Sequence, residues 1–326
     1  MLQQRSARAG FLLALLSAAT FGTSGTFASA LISAGWSPGA AVTIRITIAA
    51  LILAIPAVVM LRGKWHVVRR NLRMVTFYGL VAIAGCQVCY FVAVQHLSVG
   101  VALLLEYMGI VLVVGWLWLR NGQRPRRLTI AGSVAALVGL AFVLDLVGDT
   151  RIDVVGVLWG LGAAVGLAVY FLVSAKSDPE LPPLAMASGG MTVGAVALLF
   201  LGVVGVLPMQ LEFTDVGFAG LQVNWLVAVA GLALIATVVS YVAGISAARI
   251  LESKLASFIG LTEVLFAVLF AWLFLGQLPT AMQLVGGVLI VAGVALVRVD
   301  ELRPNPVMGR AGSTGDSSAK DDLPAL

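Results

Sequence analysis

"LLLEYMGIVLVVGWLWLRNGQRP" (103–125) and "SFIGLTEVLFAVLFAWLFLGQLP" (257–279) superimpose without a gap when the chain is shifted by 154 residues. Extended outward, 97–141 falls on 251–295, so that Leu97 meets Leu251, Ala102 meets Ala256 and Trp118 meets Trp272. The turn matches as well: Gly122, Gln123 and Pro125 meet Gly276, Gln277 and Pro279, and Gly132 and Gly139 then meet Gly286 and Gly293. Apolar composition alone aligns Leu with Leu and Ala with Ala. A gapless Gly-Gln-x-Pro followed by two glycine pairs is far harder to obtain by chance. Nearer the start the match weakens, with "AATFGTSGTFASA" (18–30) over "AAVGLAVYFLVSA" (163–175) at a shift of 145, so a loop has changed length.

Each copy is built from apolar runs long enough to span hydrocarbon, which takes about 20 residues. There are ten, at roughly 11–31, 39–61, 74–95, 99–119, 128–147, 154–175, 184–207, 225–247, 255–274 and 280–298. The expected fold is therefore an all-α integral membrane protein of two five-helix repeats, 11–147 and 154–299, between a short N-terminal tail (1–10) and a C-terminal one (300–326). That last stretch is rich in Pro, Gly, Ser and charge and cannot bury a core. Composition agrees: of 326 residues 60% are hydrophobic and only 11% charged, against about 25% charged in soluble domains.

Because five is odd, the second copy enters the membrane from the opposite side. Inverted repeats of this kind let a carrier exchange two mirror-related states. Lys and Arg set the direction. With the N-terminus inside, Arg62, Lys64, Arg69, Arg70, Arg73, Arg120, Arg124, Arg126, Arg127, Lys176, Arg249 and Lys254 all fall on inner loops. The outer loops hold only Arg151 beside Asp149, Asp153, Glu212 and Asp215. Both termini are thus expected in the cytoplasm. The opening "RSARAGFLLALLSAATFGTSGTFASA" has the basic start and apolar run of a signal peptide, yet its removal would leave nine runs and break the charge pattern. The net charge of +5 is spent on this orientation and implies no nucleic-acid partner. Two cysteines within one apolar run argue against a disulfide framework.

The membrane portion resembles the drug/metabolite transporter superfamily of EamA type, clearest at "SFIGLTEVLFAVLFAWLFLGQLPTAMQLVGGVLIVAGVAL" (257–296), with 103–125 as a looser copy. The family pattern runs through Glu-Pro-Val-Phe, an apolar stretch, Leu-Gly-Glu and a glycine-containing last helix. Here Val264 and Ile110 stand where its proline is usual, and Gln277 and Gln123 replace its loop glutamate. The resemblance implies two five-helix repeats in a bacterial inner membrane, and export or uptake of amino acids, other metabolites or drugs. Its motifs are structural and carry no substrate identity.

Three formally charged residues lie well inside the runs: Arg45, Glu106 and Glu263. Each costs about 2.5–3.5 kcal/mol at mid-bilayer on insertion scales, so each needs a partner or water. Glu106 and Arg45 sit about 10 Å in from the same side at the helical rise, with Gln87 at similar depth. They are expected to approach one another beside a cavity, where substrate charge or a proton competes for the pair; the bland alternative has Arg45 snorkelling to the interface and Glu106 as a fixed structural partner. Glu263 enters from the inner side as a second coupling candidate or an interhelical tether. Tyr107, Tyr90, Tyr170 and Tyr241 are candidates to line a substrate route, against packing or belt roles. Trp36, Trp65 and Trp225, at run ends, read as interface anchors. Cys86, Cys89 and His96 share one helix face, which would suit a thiophilic metal, although a fourth ligand is lacking and buried Cys is usually a small apolar filler. Glycines at 156, 160, 162 and 166 permit close helix packing. No nucleotide loop and no nucleophile–base set occurs, so no cofactor is expected. The expected partners are a small-molecule substrate, the bilayer and, as an open alternative, protons. A membrane-embedded lipid-modifying enzyme and a channel stand as alternatives to a secondary transporter; the first lacks paired carboxylates at headgroup level, and the second would draw symmetry from an oligomer.

Overall fold

The structure, a computed structural model, describes residues 2–96, 99–122, 125–143, 153–218, 220–276 and 278–302. The turn residues Gln123 and Gln277, the outer Asp149 and Arg151, and the tail from 303 lie outside them. The first half comprises α1 (Leu2–Gly22), α2 (Ser24–Ser33), α3 (Pro38–Met60), α4 (Trp65–Tyr78), a π-helical segment (Gly79–Gly85), α5 (Cys86–His96), α6 (Val99–Tyr107), α7 (Gly109–Asn121) and α8 (Arg127–Val143). The second comprises α9 (Val154–Lys176), α10 (Pro183–Val203), a hairpin of β1 (Val216–Phe218) and β2 (Leu221–Val223), α11 (Trp225–Ala230), a second π segment (Gly231–Val239), α12 (Ser240–Gly260), α13 (Thr262–Leu275) and α14 (Ala281–Leu302). Among the described residues, six helical stretches are long and apolar enough to cross a membrane: Ala7–Ser33, Pro38–Met60, Trp65–Ala93, Val154–Lys176, Pro183–Val203 and Trp225–Gly260. Three shorter apolar helices, Arg127–Phe142, Thr262–Phe274 and Ala281–Val297, accompany them.

Helix ends follow local chemistry. Ser37 caps α3, its Oγ accepting from Ala40 N, with Pro38 in the first turn; Asp153 caps α9 and Asn224 caps α11. Gly122 and Gly276, aligned in the repeat, both take left-handed backbone (φ 65° and 68°), the conformation that releases a helix at little cost only in glycine. Glu252 is the one non-glycine at positive φ (63°) among the described residues and marks the corner within α12.

Contacts are reciprocal between the halves. α1 packs on α12 as α9 packs on α5, α1 meets α13 as α9 meets α7, and α3·α10 and α8·α14 pair across the middle. A Cβ on Gly132 would lie 2.7 Å from the Gly293 carbonyl, and one on Gly139 2.6 Å from that of Gly286. Ascending α8 therefore descends α14. Position 132 aligns with 286 yet touches 293, and 139 aligns with 293 yet touches 286. Such exchanged pairs are what an isologous two-fold contact produces.

Two departures from expectation concern the loop 204–224. It forms the small hairpin, Val216 pairing with Val223, in a chain expected to be all-α. It also covers Trp36, which is not an interface anchor but core, 2% exposed, with its Nε1 donating to the Glu212 carbonyl and its ring 5.9 Å from that of Trp225. The cause is the loop itself, long enough to fold back over the α2–α3 turn, where Gln210 N donates to Ser37 Oγ.

Candidate functional site

Four local irregularities interrupt the helices, two in each half. Both π segments occupy the same place, since 79–85 shifted by 154 gives 233–239, inside the second segment. π turns widen a helix and recur at functional sites. The fourth run of each half is also broken, at Met108 (ψ −16°) and Leu261 (ψ −24°). Each break is a tight turn closed by an i→i−3 bond, Met108 N to Leu105 O at 3.1 Å and Leu261 N to Phe258 O at 3.2 Å, the 3₁₀ pattern. Neither needs the family's proline. Gly109 beside the first permits close approach to α9, its would-be Cβ 2.6 Å from the Ala164 carbonyl.

The charged residues stand at these irregularities. Glu106 lies two residues before the first break and Glu263 two residues after the second. Both are partly accessible. Arg45, on α3, is 5% exposed. Arg45 senses the charge of both carboxylates, and Glu263 senses those of Arg45 and Glu106, but among the described residues no ion pair joins Arg45 to either carboxylate. Its Nη1 donates to Ser24 Oγ at 2.7 Å, its guanidinium stands 5.8 Å from the Phe21 ring, and its buried Nε has no hydrogen-bond partner. The Cys86 thiol contacts Glu106 Oε1 and the Ala163 carbonyl, each at 3.4 Å. Glu263 sits beside the Tyr107 hydroxyl.

Aromatic rings connect these groups. Tyr241 lies 5.8 Å from Phe21 and 5.6 Å, edge-on, from Tyr170, and Tyr78 adds a further ring 6.1 Å from Tyr170. Tyr90 senses both glutamates. Gln87, next to Cys86 on α5, is partly buried. The Cys86–Cys89–His96 set does not assemble: Cys86 turns inward, while His96, ten residues or about 15 Å along the helix, reaches Asp153 at 3.0 Å. Cys86 is the residue that sequence reasoning undervalued. Under the same shift it aligns with Ser240 (86 + 154), whose Oγ donates to the Ser17 carbonyl of α1 at 3.2 Å. Each third run thus ends its π segment on a small polar side chain bonded to the first helix of the other half. Ser24 carried no sequence signal.

A second polar cluster joins the opposite ends of the helices. Asp178, between α9 and α10, accepts from Arg70 and, at 2.8 Å, from Asn71 Nδ2 on α4, while Arg70 also donates to Glu180 at 3.0 Å. The bonds from Asn71 and then Arg70 hold the Asp178 carboxyl down at about 2. Arg249 of α12 donates to the Leu181 carbonyl at 2.6 Å.

A bundle of long apolar helices with reciprocal halves and charges beside broken helices is the anatomy of a multi-pass membrane transporter. The chain belongs to the EamA-like transporter family, whose pattern matches residues 8–145 and again 154–299, and with it to the drug/metabolite transporters. It is 31% identical over 259 residues to a probable terminal-alkyne amino-acid exporter of Streptantibioticus cattleyicolor, covering 78% of this chain and 81% of that one. To an uncharacterized transporter of Archaeoglobus fulgidus it is 28% identical over 64% of this chain and 70% of the other. The threonine/homoserine exporter RhtA of Salmonella typhimurium matches at 30% over 39% of this chain and 41% of its own. A solved crystal structure shares the fold at TM-score 0.73 and 18% identity, spanning 94% of this chain and 99% of that one.

Proposed function

We propose that this protein is a secondary transporter moving small metabolites of amino-acid type by alternating access between two inverted five-helix repeats. In this reading each of the ten runs crosses a bacterial inner membrane once, with both termini cytoplasmic. The exchanged glycine contacts of α8 and α14 support the two-fold relation, and the relatives named as amino-acid exporters support the substrate class.

The observation that carries the reading is the shared neighbourhood of Arg45, Glu106 and Glu263, drawn from three runs of both halves and placed beside the two helix breaks. Transporter sites sit near the midplane at discontinuous helices. One guanidinium and two carboxyl groups offer a place for each end of a zwitterion, and the tyrosines supply a wall for an apolar side group. Nothing about the site calls for bond-making chemistry.

Reconstituted protein in liposomes preloaded with unlabelled L-threonine should concentrate labelled L-threonine by counterflow, and Glu106→Gln should reduce the rate at least tenfold. Absence of counterflow across a panel of neutral amino acids would refute the substrate class. Undiminished counterflow in both Glu106→Gln and Glu263→Gln would refute the site.

A further inference from the structure

Arg45 is strongly provided with donors and weakly used. Its guanidinium carries five N–H groups in a rigid fork that fits a carboxylate through two parallel bonds, yet the hydrogen bond it makes among the described residues is the single one to Ser24 Oγ. Nε is buried and unbonded. Such a group inside an apolar bundle is unfavourable unless an anion reaches it.

A way in exists. A partly open cavity of about 40 Å3 is lined by Arg45 together with Ile32, Val42, Phe91 and Leu232. Pro38 at the start of α3 borders it too, seven residues or about 10 Å from Arg45 along the helix. The cavity therefore extends from the α3 end of the molecule inward to the guanidinium. At about 10–15 Å3 for one water, it has room for a carboxylate and little more. Its walls are otherwise apolar. Phosphate would bring a second negative charge toward Glu106 and Glu263, both of which Arg45 already senses; a monoanion avoids that repulsion.

We propose that Arg45, steadied by Ser24, is an anion subsite that takes the carboxylate of a small substrate bearing an apolar group, entering from the Pro38 end of the cavity. The subsite rests on the transporter reading and sharpens it by assigning one end of the substrate to one residue. Phe21, 5.8 Å from the guanidinium and equally far from Tyr241, then stands between this subsite and the tyrosines.

Three probes with one carbon skeleton test it on the purified full-length chain in detergent: L-leucine, 4-methylpentanoate, which lacks the amine, and isopentylamine, which lacks the carboxylate. L-Leucine and 4-methylpentanoate should raise the melting temperature saturably, with isopentylamine at least tenfold weaker. Arg45→Gln should weaken 4-methylpentanoate at least tenfold, and Ser24→Ala a few-fold. Equal affinity for the amine and the acid in the wild-type protein, unchanged acid affinity in Arg45→Gln, or no saturable effect of either acid on the wild type would overturn the subsite. The comparison of acid with amine needs no variant, so it stands even if Arg45→Gln misfolds. Counterflow of L-leucine without acid-over-amine discrimination removes the subsite and leaves the carrier. Discrimination without counterflow of any amino acid supports the subsite and removes the carrier.

Discussion

Glu106 and Glu263 each align with a glycine of the other copy, Gly260 (106 + 154) and Gly109 (263 − 154), so the repeats carry their carboxylates on opposite sides of the same break. The two acids are therefore not interchangeable. Glu106 is tied to the Cys86 thiol, which also reaches the Ala163 carbonyl of α9. A hydroxyl in the same place keeps both contacts, and a methyl group loses both. Cys86→Ser should consequently leave thermal stability and counterflow near wild type. Cys86→Ala should cost about 1 kcal/mol, the usual net worth of a buried hydrogen bond, read as a lower melting temperature. Equal behaviour of the two variants would reduce Cys86 to a space filler. What the sequence disclosed of the site was the rarity of charge in apolar runs. The partners of those charges, Ser24 and Cys86, are small common residues, and only the folded contacts single them out.

At the scale of elements, the long apolar helices and the glycine-bearing last helix were legible because hydrophobic length acts locally. The π segments, the 3₁₀ breaks and the loop over Trp36 were not, because each answers to a distant neighbour. Gly79, for instance, opens the first π segment where its would-be Cβ stands 2.6 Å from the Gly190 carbonyl of α10. The α8–α14 contact gives a sharp test. Gly132→Ala and Gly139→Ala each drive a methyl group against a backbone carbonyl and should cost about 1–3 kcal/mol as overpacking, measured by thermal unfolding in detergent. Gly115→Ala, whose methyl group would meet nothing within 4 Å, should be neutral. The Asp178 cluster predicts a pH window. A carboxyl held at about 2 against its ordinary 3.8 contributes stability that is present above the ordinary value and lost as pH falls through the folded one. The melting-temperature gap between wild type and Asp178→Asn should hold steady from pH 7 to about 4 and close between there and pH 2. A gap that grows with acid would contradict the assignment.

For the whole molecule, the two polar regions lie toward opposite ends of the proposed transport route. By the positive-inside reading, Arg70, Asn71, Asp178, Glu180 and Arg249 lie at the cytoplasmic end, where their bonds join α4, the α9–α10 turn and α12, while the Arg45 cavity reaches Pro38 toward the other end. Under the proposed orientation and mechanism, this arrangement has the inner side fastened and the outer cavity available. In the proposed alternating-access cycle the inner bonds part when the outer cavity closes, and any weakening of them shifts the population toward the inward-open state. Arg70 and Glu180 are exposed, so their contribution is small and screened by salt, and the expected shift is modest. In a Cys86→Ser, Cys89→Ala background carrying Tyr241→Cys, a membrane-impermeant maleimide inside sealed vesicles of known orientation reports inner access. Adding Arg70→Gln or Asp178→Asn should speed cytoplasmic labelling about two- to fivefold and slow labelling from the outer face, with the contrast shrinking at high salt for the wild type. Acceleration from both faces at once would mean that the cluster holds the bundle together generally, and unchanged rates from both would leave it no part in gating.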